Sequence, residues 1–214
     1  MQNNKKLPEE ISIFPLSNFI IFPESTVPLN IFEPRYVQMI DDAMKSHRMI
    51  GMIQPKKTGD LKKPNLYNVG CVGKITSFNE TDDGRYLIVL NGISRFEILK
   101  EISTNKLYRV CKVNYEKFSF DFKENREKIN FLNLETILKD LKSIFNKKGY
   151  AINWSELEKQ DLYNTINTLS MASPISLEEK HTLLESLNVN DRKLKLEKIL
   201  KTYLLDNFQN NTLQ

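Results

Sequence analysis

"YNVGCVGKITSFNETDDGRYLIVLNGISRFEIL", residues 67–99, reads as strand from end to end. The runs "YNVGCVGKITSFNE" and "RYLIVL" are rich in β-branched and aromatic residues, and they flank Thr81-Asp82-Asp83-Gly84. Asp-Gly between two such runs signals a hairpin, because glycine adopts the positive φ that the tight turn requires. Asn91-Gly92 then interrupts the second run. It is read as either a second tight hairpin or a glycine bulge that bends one long strand, and both readings expect a positive φ at Gly92.

Upstream of this stretch lie "ISIF", a turn at Phe22-Pro23, "STVPLNIF", a helix over 34–45 and the short apolar run "RMIGMI". Downstream, "LYRVCKVNYEKF" closes the β region. Six or so short strands with one helix predict a small, strongly curved sheet or barrel. Beyond about residue 124 the period turns helical. Phe131, Leu134, Leu138, Leu141 and Phe145 form an apolar stripe, with Gly149 suited to the position past the helix end. Asn153 can cap a turn containing Trp154 and Leu157. Asp161–Met171 reads as a helix stopped by Ser173-Pro174. Ser176 and Glu179 have capping-box spacing ahead of a helix to Leu187. Asn190 or Asp191 is expected to cap a last helix whose Leu196, Ile199, Leu200, Tyr203 and Leu204 face one way. The expected organisation is a β domain over 1–118 and a helical bundle of four or five elements over 119–214, packed together without a flexible linker. Frayed ends are expected in the first ten residues and after Phe208.

Composition narrows the function classes. The 214 residues are 40% hydrophobic and 27% charged, with a net charge of +4. Lysines alternate with acids along most of the chain, which reads as a solvated surface rather than the basic stripe of a nucleic-acid binder. Cys71 and Cys111 both sit in strand-like runs and are read as buried, reduced thiols. Pro8, Glu9 and Glu10 interrupt the N-terminal stretch that a secretory signal would need, and no segment approaches the roughly 20 apolar residues of a membrane span. These features predict a cytoplasmic protein that does not engage a membrane.

A search for catalytic motifs predicts no catalytic, cofactor-binding or metal-binding residue. A phosphate loop ending at Gly73-Lys74 would need glycine where Asn68 stands and a hydroxyl where Ile75 stands. Gly92-x-Ser94 fails as a nucleophile elbow because Phe96 holds the second glycine position. His47 reads as a solvated residue at a helix exit, and His181 as a helix residue without a carboxylate at useful spacing. The pairs Asp41-Asp42 and Asp82-Asp83 read as helix surface and turn.

The landmarks Phe14-Pro15-Leu16, Phe22-Pro23, Pro28-Leu29, Ile31-Phe32-Glu33-Pro34-Arg35-Tyr36, Gly51, Val69-Gly70 and Gly92-x-x-Arg95-Phe96 resemble the Lon N-terminal, or substrate-binding, domain, in family order and spacing over more than 100 residues. The helical half is similar to the extension of stand-alone bacterial members. The resemblance implies an α+β, PUA-like fold: a mainly-β pseudo-barrel with one inserted helix, then a helical bundle. It does not imply protease activity, since the ATPase and peptidase of the full-length enzymes lie after this region and the present sequence carries neither.

At the strand-to-helix joint, Pro34 suits the first helical position, Glu33 is held extended and faces the helix's positive end, and Tyr36, Ile40, Ala43 and Met44 recur on the packed face. Arg35 and Met39 are placed off that face, with Arg35 pairing an acid of the helical half or lining a groove between the halves. Leu29, Phe32, Arg35, Tyr36 and Met39 are the candidate interaction surface. The expected partners are unfolded protein or peptide segments, in a role connected with protein quality control. RNA is the alternative, through Lys56, Lys57, Lys62 and Lys63 in a loop around 55–65.

Overall fold

The computed structural model describes residues 7–59, 63–122, 134–148, 153–157 and 159–210. The chain forms two compact units, Met1–Asp121 and Phe122–Gln214. The first contains β1 (Glu10–Pro15), β2 (Thr26–Ile31), α1 (Pro34–Met44), β3 (Met49–Ile53), β4 (Pro55–Gly59), β5 (Pro64–Leu66), β6 (Val69–Glu80), β7 (Tyr86–Ile102), β8 (Arg109–Asn114) and a 3-10 turn over Glu116–Asp121. The main sheet has the order β2-β7-β6-β3-β1-β8, and β7 pairs with β8 as well. Five strands therefore close on themselves as β7-β6-β3-β1-β8, with β2 attached beside the first part of β7. Among the described strands of this sheet only the β1–β3 pairing is parallel.

Thr81–Arg85 is the expected hairpin. Thr81 N–H donates to Arg85 O, Gly84 N–H donates to Thr81 O, and Gly84 has φ +76°. At Asn91-Gly92 the structure selects the bulge: Val72 opposes Ser94 while Gly73 opposes Gly92, so Ile93 is the extra residue. Further irregularities between Ile75 and Ser77 on β6, and between Ile98 and Lys100 on β7, add bending, as a long strand needs if it is to serve both sides of a ring.

The expected positive φ at Gly92 is not found: among the described glycines only Gly84 has one. Gly92 is needed for a close approach instead. Its N–H donates to Ser25 O at 2.9 Å, its carbonyl accepts from Glu24 N–H at 2.8 Å, and a Cβ would lie 2.2 Å from Phe22 O.

The segment around 55–65, expected as a solvated loop, contains the short antiparallel pair β4–β5. Pro55 and Pro64 each open a strand, where the missing amide hydrogen is tolerated. Lys62 lies outside the described residues.

Helix α1 begins as the sequence predicts, with Glu33 extended (φ −72°, ψ 130°) and Pro34 in the first turn. Its buried face is Tyr36, Met39, Ile40 and Ala43. Met39 is 0% exposed, which corrects its placement off the packed face: at 3.6 residues per turn, i+3 shares the stripe with i and i+4. These residues pack on Phe14, Ile21, Val27, Ile31, Ile50 and Leu90, while a second cluster inside the ring joins Ile11, Ile13, Val72, Phe96, Cys111 and Val113. Both cysteines are buried, and burial pushes the Cys111 thiol up to about 11. The acids of α1 anchor it to the sheet: Tyr86 Oη–H donates to Asp41 at 2.9 Å, and Tyr108 Oη–H donates to Asp42 at 2.6 Å.

The second unit holds α2 (Leu134–Lys148), α3 (Trp154–Leu157), α4 (Leu162–Ala172), α5 (Leu177–Leu184) and α6 (Val189–Asn210). Asp161, read in the sequence as the first residue of its helix, caps α4 instead, and Ser176 with Glu179 forms the full capping box of α5 as predicted. Asn188, rather than Asn190 or Asp191, caps α6 by accepting from Asp191 N–H at 2.9 Å; Asp191 in turn accepts from Leu187 N–H. The buried face of α2 is Ile137, Leu141, Ile144 and Phe145, with Leu138 half-buried. Phe131, Gly149 and the Leu134 side chain lie outside the described residues. His181 does have a carboxylate partner, contrary to expectation: Glu185, one turn on, at 3.1 Å.

Candidate functional site

The residues singled out in the sequence divide into fold-builders and surface. Phe14 is buried edge-on against the Tyr36 ring, with centroids 4.5 Å apart. Leu16 N–H donates to Ile53 O, which extends the β1–β3 pairing past Pro15. Pro23 lies in the Phe22–Ser25 turn, which is closed by a Ser25 N–H to Phe22 O bond. Pro28 is on β2, the strand with a neighbour on one side only in the described sheet. A Cβ on Gly70 would come within 2.5 Å of Phe96 Cζ, so that ring sits directly over its backbone.

Arg95 is fully buried. Its Nη2 and Nε donate to both Asp121 oxygens at 2.8–3.2 Å, its N–H donates to Asp121 Oδ2 at 2.9 Å, and its guanidinium lies 4.2 Å from the centre of the Phe118 ring. This buried pair fixes the 3-10 turn onto β7. A carboxylate that satisfies a guanidinium bidentately is what makes such a burial tolerable.

Of the proposed interaction residues, Phe32 is 64% exposed and Arg35 is exposed, while Leu29 is half-buried against the core. Met39 presents no surface. Tyr36 is almost wholly buried. Arg35 pairs locally: its Nη2 lies 2.7 Å from Glu33 Oε2, and its guanidinium stacks 4.5 Å from the Tyr36 ring centre.

Arg35 and Tyr36 open onto a hollow of ≈ 140 Å³ in the first unit. Four separate stretches form its wall: the end of β1 (Ile13, Pro15, Ser17), the start of α1, the β4–β5 pair (Pro55, Lys63, Pro64), and Leu107, Tyr108 and Arg109 leading into β8. Arg109 Nη1 donates to Pro64 O at 2.8 Å and Nη2 to Glu101 at 2.6 Å, with Lys63 on the same carboxylate at 3.0 Å. Burial raises the Glu101 pKa, but the bonds from Arg109 and Lys63 outweigh it and hold the carboxyl below its ordinary value. Burial pushes the Tyr36 hydroxyl up, against the pull of Arg35. Pro15, Arg35 and Tyr36 were legible as landmarks. Lys63, Leu107, Tyr108 and Arg109 were not, and the only local signal for the last three is the Leu-Tyr-Arg run before an apolar strand.

A second hollow of ≈ 180 Å³ brings together Asp42, Ser46 and His47, residue types that could suggest hydrolysis. Their bonding does not make a triad. Ser46 Oγ–H faces the helix carbonyls of Asp42 and Ala43, His47 Nδ1 accepts from Met49 N–H, and Asp42 is engaged by Tyr108 and Lys106. A nucleophile–base–acid relay would require serine, imidazole and carboxylate to be bonded to one another. Among the described residues no three His, Cys, Asp or Glu side chains are grouped to hold a metal ion, and no helix is long and apolar enough to cross a membrane. Of the loop lysines, Lys56 lies over the Tyr67 ring at 5.6 Å and Lys63 is paired with Glu101.

Residues 10–202 match the family model described as the ATP-dependent protease La (LON) substrate-binding domain. The chain belongs to the Lon substrate-binding domain family. The Lon protease of Desulfosudis oleivorans is 25% identical over 200 residues, covering 92% of this chain and 24% of the relative. That of Flavobacterium johnsoniae is 26% identical over 199 residues, covering 90% and 24%. The chain thus spans about a quarter of the length of these curated relatives. The crystal structure of a Lon N-terminal domain protein from Xanthomonas campestris superposes with a TM-score of 0.64 at 18% identity, covering 87% of this chain and 96% of that one. The N-terminal domain of a Mycobacterium avium complex Lon protease gives 0.62 at 16% identity, covering 90% and 98%. The α+β arrangement of this Lon substrate-binding domain, β unit first and helices after, is therefore the fold of solved Lon N-terminal domains. The matched family is the protease's substrate-binding part.

Proposed function

We propose that this Lon substrate-binding domain is a non-catalytic module that binds unfolded protein or peptide segments in the cytoplasm, in the service of protein quality control. The observation that carries this reading is the match of residues 10–202 to a family defined by substrate binding. The hollow beside Arg35 and Tyr36 offers a better receptor than the free edge of β2. Pro28 takes one amide donor from that edge, so an added strand would lose a hydrogen bond there. Of the lysines RNA would draw on, Lys63 is engaged with Glu101 and Lys56 with the Tyr67 ring.

The test is fluorescence anisotropy with labelled peptides, an unfolded protein and single-stranded RNA, at low and at physiological salt. Apolar peptide ligands remain bound at physiological salt, whereas any RNA binding collapses, because it rests on counterion release. Salt-resistant binding to RNA without peptide binding overturns the reading. The purified protein hydrolyses neither ATP nor casein, and turnover abolished by a substitution in this chain would refute the non-catalytic assignment.

A further inference from the structure

The hollow beside Arg35 and Tyr36 is too small for a polypeptide segment. Its ≈ 140 Å³ matches a single benzene-sized group and leaves no room for backbone. Tyr36 and Tyr108, the aromatic part of its lining, are 6% and 5% exposed, so a segment laid across the mouth touches little of either. A wall has to move before a segment enters.

Three of the four stretches that form the wall are held in place. β1 and β8 are paired within the main sheet, and α1 is anchored through the Tyr86–Asp41 and Tyr108–Asp42 bonds. The fourth, β4–β5, is a separate two-stranded sheet, an arrangement that is marginal by itself. The chain enters it after Gln54 and leaves it at Tyr67, and Tyr67 N–H donates to Gln54 O at 3.0 Å. Both ends of the pair therefore sit on one hydrogen-bonded base, which can serve as a hinge. Beyond that base, two side chains tie the pair to the barrel. Arg109 Nη1 donates to Pro64 O at 2.8 Å, and Lys63 Nζ lies 3.0 Å from Glu101 Oε1.

The two ties meet at Glu101, and the closed arrangement leaves a bond unmade there. Arg109 Nη2 donates to Glu101 Oε2 at 2.6 Å. Nη2 and Nε–H share one edge of the planar guanidinium, and a carboxylate set squarely on that edge takes both, as Asp121 does with Arg95. The Arg109 Nε–H, however, is buried without a partner, while the other Glu101 oxygen is given to Lys63. A buried donor left unsatisfied is costly. When Lys63 lifts away, that oxygen is free to turn onto Nε–H, so opening recovers a bond that closing forgoes.

We infer that β4–β5 is a flap over the hollow, latched shut by Lys63 and Arg109, and that it opens as Glu101 exchanges Lys63 for the Nε–H of Arg109. The inference rests on the reading that the hollow receives polypeptide.

The experiment has three readouts on the full chain, with a labelled apolar peptide as ligand. Spin labels on Thr58→Cys and Ser103→Cys, both exposed positions, report the distance from flap to barrel, and it lengthens when the peptide is saturating. A water-soluble carbodiimide takes up the water lost as Lys63 Nζ and the Glu101 carboxylate form an amide, which locks the flap. The locked protein binds the peptide about tenfold or more weakly, whereas Lys63→Ala treated in the same way keeps its affinity. In NMR the Arg109 Nε–H resonance, assigned by its absence from Arg109→Lys, moves downfield in the peptide complex. It does so in Lys63→Ala without peptide as well, because Glu101 is then free to turn. Unchanged affinity in the locked protein, an unchanged label distance or an unmoved Nε–H in the complex overturns the flap. If no form binds the peptide, the polypeptide reading falls and Lys63→Ala alone decides the latch: a downfield Nε–H supports it and an unmoved one overturns it.

Discussion

Gly92 and Gly84 show that one residue type can be required for unrelated reasons. At Gly84 the backbone is left-handed and the space beyond is open. At Gly92 the backbone is ordinary and the space is filled by the Phe22 carbonyl, 2.2 Å from where a Cβ would stand. Gly92→Ala forces two paired backbones apart and is expected to cost on the order of 1–3 kcal/mol, read as a lower urea midpoint. An unchanged midpoint would mean that the turn can retreat. The sequence made the need for a glycine visible in Asn91-Gly92 but hid its cause, because the obstructing carbonyl comes from a turn distant along the chain. Arg95 is a similar case. It stood out as a landmark, yet nothing marks Asp121 among many acids as its partner. Asp121→Ala leaves a guanidinium buried and uncompensated, at an expected cost of about 3–5 kcal/mol in chemical denaturation. A loss below 1 kcal/mol would show that water reaches the pair.

The elements whose cause is local were legible, and those made by assembly were not. The Ser176/Glu179 box caps α5 as its spacing announces, and Ser176→Ala should lower stability by about 1 kcal/mol. Pro34 likewise starts α1 where its missing amide hydrogen has no cost. Met39 was misplaced because a stripe judged from i+4 and i+7 omits the i+3 position that completes it. Its full burial predicts that Met39→Ala costs on the order of 2–5 kcal/mol, and a surface-like loss in thermal or urea denaturation would contradict the packing. The β4–β5 pair escaped because prolines and lysines disguise short strands. The hollow escaped because four stretches that are separate in sequence form its wall, and periodicity within any one of them carries no trace of the others.

Across the molecule, the anchoring of α1 and the pairing of β7 with β8 make the fold sensitive to acid. The Tyr108 hydroxyl and Lys106 hold the Asp42 carboxyl below its ordinary value, and Glu101 is lowered on balance by Arg109 and Lys63. Both groups bind protons more readily in the unfolded chain. Their stabilisation is therefore complete above about pH 4.5 and is lost as pH falls through their depressed folded values. Thermal denaturation between pH 6 and pH 3 should show this decline, and Asp42→Asn should flatten it; an identical slope in the variant would remove Asp42 from the account. The same ring sets an order of assembly during synthesis. Of the described strands β1 leaves the ribosome first, its parallel neighbour β3 follows only after α1, and its other neighbour β8 comes last. Until Arg109–Asn114 has emerged, one side of β1 and the far half of β7 expose unpaired backbone, and such distant pairings form slowly. A ribosome that stalls before Arg109 releases a chain unable to shut its own barrel, an open-edged polypeptide of the kind that degradation systems collect.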